Sequence, residues 1–224
     1  MLLIFLAGSL VQLVCFWMLS EQKVERKASA GRFFSKSPTI RKIAALFSLD
    51  SFGGGFVLQS LVVLFFHDHF GLNKEQLGAM LFASQILPAI SLLLAPWLAK
   101  RIGLLNTMVF THLISNGFLL AIAFAPAAGL AMALWLGRQL LSQMDVPTRQ
   151  AYLMAIVSDD EREDAAITTT LTRTVTQAVS PSIAGWVMSA MSMSAPFAIG
   201  GIIKTIYDIT IWQMFRKVPL KESA

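Results

Sequence analysis

Seven stretches of this chain, roughly 2–20, 43–66, 75–99, 104–125, 130–157, 165–189 and 195–215, are apolar over the ~20 helical residues needed to cross a hydrocarbon core of about 30 Å. No other feature constrains the fold as strongly. Inside hydrocarbon every backbone N–H and C=O must be bonded within the protein, so only helices and closed barrels can span it. The runs are continuously apolar and lack the period-two alternation of barrel strands. The expected fold is an all-α integral membrane protein of about seven transmembrane helices, with short connections that make successive helices antiparallel neighbours. Only 14% of the residues are charged, where a soluble domain carries about 25%.

Charge placement orients these helices. Segment 21–42 holds Lys23, Arg26, Lys27, Arg32, Lys36, Arg41 and Lys42, and turn 100–103 holds Lys100 and Arg101. Turn 158–164 holds Arg162, and the tail holds Arg216, Lys217 and Lys221. The alternate connections, 67–74, 126–129 and 190–194, hold Lys74 alone. By the positive-inside rule, segment 21–42 and the C-terminus are cytoplasmic and the N-terminus is outside. Topology explains the basic segment without nucleic acid, and anionic head groups of membrane lipids are its natural neighbours. The first run lacks the basic start and small-residue cleavage site of a signal peptide, so it reads as a retained helix. The single cysteine, Cys15, excludes an internal disulfide.

Ionisable groups inside spans are costly and usually face a bundle interior or a wet cavity. Here they are Asp50, Arg138, Asp145, Arg149, Arg173, Lys204 and Asp208. Trp135, Arg138, Ser142, Asp145, Arg149 and Tyr152 fall at offsets of three and four, which is one helical face. Asp145 and Arg149 stand at i,i+4 and can partly neutralise each other. Pro147 predicts a kink in this span. A cavity wall and a helix-gluing charge network both account for the stripe, and the cavity wall fits the kink better. Thr169, Arg173, Thr176, Gln177 and Ser180 share a face of the next span. For Arg173 a substrate anion and a partner acid stand as equal options. Lys204 and Asp208, again at i,i+4, read as a neutralised structural pair.

The second span contains an acid and three consecutive glycines, Asp50, Gly53, Gly54 and Gly55. Such a run is a weak point in a helix. It predicts either a helix surrounded by protein or one interrupted where backbone lines a cavity. The cluster His67, Asp68 and His69 is too compact and exposed to read as a metal site. Ser158 and Glu161 have the spacing of a capping box before the sixth span. No phosphate-cradling loop, nucleophile triad or metal-ligand spacing occurs, so neither an enzyme nor a cofactor is expected.

Three stretches carry a resemblance. "PWLAKRIGLL" (96–105) matches the loop pattern Gly-x-Leu-Ala-Asp-Arg-x-Gly-Arg-Lys at Leu98, Ala99, Arg101 and Gly103. Pro96 replaces its first Gly, Lys100 its Asp, and Leu104 and Leu105 its basic pair. The others are "LGRQLLSQMDVPTRQAYLMAIVSDDEREDA" (136–165) and "SPSIAGW" (180–186). Together they resemble the C-terminal half of a major facilitator superfamily transporter. The resemblance implies that 1–20 corresponds to the last helix of an N-terminal half. It makes 21–42 a cytoplasmic connector, 43–215 a six-helix C-terminal bundle, and 216–224 a cytoplasmic tail. It places 43–66 and 130–157 on the central cavity. Asp50, Arg138, Asp145, Arg173 and Gln177 are then the substrate or proton-coupling candidates. Arg101 and Gly103 belong to the loop motif, and Gly53, Gly54, Gly55 and Pro147 supply helix flexibility. The function so implied is secondary transport of a small solute by alternating access at the plasma or inner membrane, with proton coupling as an option. The odd helix count implies that the N-terminal half of the transporter is missing from this chain. A non-transporting seven-helix sensor, partner subunit or truncated remnant is the alternative.

Overall fold

A computed structural model describes residues 2–18 and 35–218. Residues Met1–Arg32 and Phe33–Ala224 form two separate compact units. Of the predicted cytoplasmic cations, Lys23, Arg26, Lys27, Arg32 and Lys221 lie outside the described residues.

The described part of the first unit is one helix, α1 (Leu2–Trp17), with Leu10, Leu13, Phe16 and Trp17 exposed. The second unit contains α2 (Pro38–Gly55), α3 (Gln59–Phe70), α4 (Lys74–Ile102) and α5 (Leu104–Ala123). It continues with α6 (Ala128–Ser142), α7 (Asp145–Ile156), a single 3-10 turn, α8 (Arg162–Ala190) and α9 (Ala195–Phe215). No strand occurs among the described residues. With α2–α3 and α6–α7 each counted as one pass, the helices occupy the seven predicted spans. Three stretches, Pro38–Phe70, Lys74–Ile102 and Leu104–Ala123, are long and apolar enough to cross a membrane by length and composition.

The helix limits follow local chemistry. Asn73 caps α4 reciprocally with Gln76, through bonds of 2.9 and 3.0 Å. The predicted cap before α8 is present: Glu161 accepts from both the hydroxyl and the N–H of Ser158. Between α4 and α5 the chain turns at Gly103 with φ +88°, a conformation that favours glycine. Arg101 lies over the Trp97 ring at 4.3 Å.

Two passes are interrupted. α2 stops after the triple glycine, where Phe56 and Val57 donate to Gly53 O and Gly54 O in a tight turn before Leu58 extends into α3. Of the two readings the glycine run left open, enclosure by protein and interruption, the interruption is present. The other break differs from expectation: the chain does not kink at Pro147 but breaks at Gln143–Met144, between α6 and α7. Proline has no N–H to bond the carbonyl four residues back, which is that of Gln143. That carbonyl instead accepts from Val146 N, and Pro147 sits in the first turn of α7, where no N–H is needed.

Close packing holds the bundle. α2 lies against α8 and α9, and α5 lies against α6, α7 and α9. A Cβ on Gly55 would fall 1.8 Å from Ser180 Oγ of α8, and one on Gly53 would fall 2.8 Å from Lys204 Cγ of α9. Gly54 has nothing within 4 Å. Two of the three glycines are thus spacers that let helices touch, as small residues do in membrane bundles.

Candidate functional site

Five of the seven ionisable residues of the spans, Asp50, Asp145, Arg149, Lys204 and Asp208, meet in one connected cluster. Asp50 of α2 is 4% exposed. It accepts from Arg149 Nη1 of α7 at 2.7 Å and, through its other oxygen, from Lys204 Nζ of α9. Arg149 also reaches Asp145 Oδ2 at 3.4 Å. The Lys204 ammonium lies 3.3 Å from His112 Nε2 of α5, and His112 Nδ1 lies 2.8 Å from Asp208 Oδ1. Asn116 Nδ2 donates to the other Asp208 oxygen at 2.8 Å. With the Nδ1–H tautomer, His112 donates to Asp208 and accepts from Lys204. One connected chain of groups then runs from Asp208 through His112, Lys204, Asp50 and Arg149 to Asp145. Burying these charges is tolerable because each has a partner; removing one would strand another.

One expectation is corrected here. Lys204 and Asp208 do not form an intrahelical pair: Lys204 turns to Asp50, 154 residues away, and Asp208 turns to His112 and Asn116. Four residues along a helix permit a pair, but stronger partners on neighbouring helices are within reach of both groups. Arg149 is 4% exposed, inside the cluster. His112 and Asn116 escaped the sequence reading. Their signal was a polar stripe at i,i+4 in the fourth apolar run: Thr107, Thr111 and Ser115 beside His112 and Asn116, all buried.

A cavity of about 240 Å³ opens beside the cluster. Asp50, Arg138, Asp145, Arg173 and Gln177, the five predicted candidates, all line it, as do His112, Arg149 and Lys204. Gly54, the unpacked glycine, borders it. From the predicted α6–α7 stripe, Arg138, Ser142, Asp145 and Arg149 face this space. Tyr152 faces elsewhere and donates to Phe215 O at 3.2 Å. Arg173 donates from Nε to Ser51 Oγ at 3.0 Å, and no carboxylate lies within ion-pair distance of it among the described residues. Arg138 donates to Gln139 Oε1 at 3.2 Å and lies 5.2 Å from the centre of the Trp135 ring. The loop-motif residues Arg101 and Gly103 and the hinge residue Pro147 are not among the cavity lining. Nor are His67 and His69; His67 Nδ1 donates to Leu72 O at 2.8 Å.

Two further cavities continue this wall. One of about 230 Å³ shares Arg149 and Arg173 and extends among Phe47, Gln150 and Thr169. Another of about 230 Å³ shares Val57, Arg138 and Gln143 and extends toward Gln59, Ser84 and Trp135. Val57 and Gln143, at the breaks in α2–α3 and α6–α7, line both the cavity beside Asp50 and the last of these.

Broken passes and buried charge around a cavity are features that membrane transporters use. Residues 43–224 match the family model described as Major Facilitator Superfamily, so the chain belongs to that superfamily. Its members are transporters rather than enzymes, and the chain is a multi-pass membrane protein. It is also 22% identical over 183 residues to an uncharacterized membrane protein of Saccharomyces cerevisiae. That match covers 81% of this chain and 41% of the relative, so the chain spans about two fifths of the relative's length.

Proposed function

We propose that this chain supplies the C-terminal half of a secondary transporter, and that the cavity beside Asp50 is its half of the solute path. The observation that carries this reading is the position of the cavity. It opens beside the buried charge cluster of an otherwise apolar bundle, and Asp50, Arg138, Asp145, Arg149, Arg173 and Lys204 line it. A protein that needed only stability would not keep six charged side chains there, since well-packed apolar groups are often at least as stable. A second half-transporter closes the path from the opposite side, and solute crosses by alternating access. The basic connections support a C-terminus on the cytoplasmic side of a plasma or inner membrane.

Proton coupling acts through Asp50 and His112, the acid and the imidazole that Lys204 joins. The test is flux in proteoliposomes holding the complete protein. Asp50→Asn is made together with Lys204→Met, so that no buried ammonium is stranded. The expected result is loss of pH-gradient-driven accumulation with solute exchange retained. Wild-type accumulation in that variant removes Asp50 from the coupling mechanism.

A further inference from the structure

The cavity beside Asp50 carries an excess of positive charge. Four cations line it, Arg138, Arg149, Arg173 and Lys204, against two carboxylates, Asp50 and Asp145. Lys204 and Arg149 are matched by Asp50 and Asp145. Asp208 stands behind His112 and is bonded to it and to Asn116. Neither Arg138 nor Arg173 has a carboxylate within ion-pair distance among the described residues. Arg173 is bonded to a neutral hydroxyl. Arg138 is only 9% exposed, its Nε has no hydrogen-bond partner, and its Nη1 is bonded to a neutral amide. A guanidinium buried in this way is incompletely compensated, and an anion entering the cavity would complete it.

The far side of Arg138 has a different chemistry. The adjoining cavity contains no carboxylate and no other cation, and Gln59, Gln85, Gln139 and Gln143 line it. A side-chain amide both donates and accepts, which matches hydroxyl groups and does not select for charge. The two cavities share Arg138, Val57 and Gln143. One molecule can therefore place a charged end and an uncharged polar end on either side of Arg138.

Resting on the transporter reading above, we infer that the solute is a small hydroxylated organic anion. Its carboxylate or phosphate pairs with Arg138 and Arg173, and its hydroxyls bond the glutamines. The test uses the complete protein, purified and reconstituted, with radiolabelled gluconate, glucose 6-phosphate, glucose and choline, measured for both binding and flux. Saturable binding and flux of gluconate or glucose 6-phosphate is expected, with glucose and choline excluded. The preferred one of the two anions tells carboxylate from phosphate. Arg138→Gln and Arg173→Gln are each expected to weaken anion binding about ten- to a hundredfold, the loss of a charge-assisted bond. Arg173 is less buried, so it keeps the test alive if Arg138→Gln fails to fold. Unchanged affinity in a folded Arg138→Gln or Arg173→Gln variant overturns that arginine's role. Movement of glucose or choline without the anions overturns the anion assignment and leaves transport standing. Anion binding without flux supports the site and overturns transport. No binding and no flux for all four overturns both.

Discussion

Asp50 is enclosed by Arg149, Lys204 and His112, from three different helices. Its carboxylate offsets two cations that would otherwise lie buried in an apolar bundle. Asp50→Asn removes one partner and keeps the shape, so it is expected to destabilise the protein by about 3–5 kcal/mol. Lys204→Met added to it removes the stranded ammonium and should restore a large part of that loss. Thermal unfolding of the detergent-purified single and double variants measures both. Equal stability of the single and double variants would mean that the stranded ammonium costs nothing. Asp50 itself stood out in the sequence as an acid in an apolar run. Lys204 stood out too, but its partner was misassigned, because spacing along one helix says nothing about what a neighbouring helix presents.

At the scale of elements, α2 shows how one short sequence can serve two purposes. The run of glycines ends the helix, and it also lets α2 approach α8 and α9. The contacts separate the three positions. Gly55→Ala would drive a Cβ into Ser180 and should cost about 1–3 kcal/mol, as overpacking does. Gly54→Ala meets nothing within 4 Å and should be neutral or slightly stabilising, since alanine is the better helix former. Unfolding midpoints of the two variants, compared side by side, check the contrast; equal effects would refute the packing account. The break in α6–α7 follows from proline chemistry at Pro147 but lies upstream of it, at the carbonyl that proline leaves unbonded. The sequence marked both weak points, with interruption at the glycines as one of two options and a kink at Pro147; that both passes break, and where, depended on backbone bonds formed in the fold.

At the scale of the whole molecule, charge asymmetry in the connections yields a testable orientation. With Cys15 replaced by Ser, a single Asp159→Cys or Ser192→Cys places a thiol on one of two opposite ends of the bundle. An impermeant maleimide added to intact cells should label Ser192→Cys and spare Asp159→Cys until the membrane is opened. Labelling of both, or the reverse pattern, would refute the orientation. The same positive-inside reading supports a cytoplasmic end for the cavity that Arg149 and Arg173 share with Thr169.

What the sequence determined by itself was local: seven apolar runs, their helical conformation, the weak points at glycine and proline, and the list of charges that hydrocarbon would not tolerate unpaired. Each follows from composition and periodicity within about 20 residues, because the bilayer acts on every span separately. Only the tertiary structure decided which charges meet. Asp50 finds Lys204 across 154 residues and Arg149 across 99, and Asp208 finds His112 across 96. Close packing at Gly53 and Gly55 sets how α2 meets α9 and α8, and the assembled bundle left Arg138 and Arg173 with no carboxylate at ion-pair distance among the described residues.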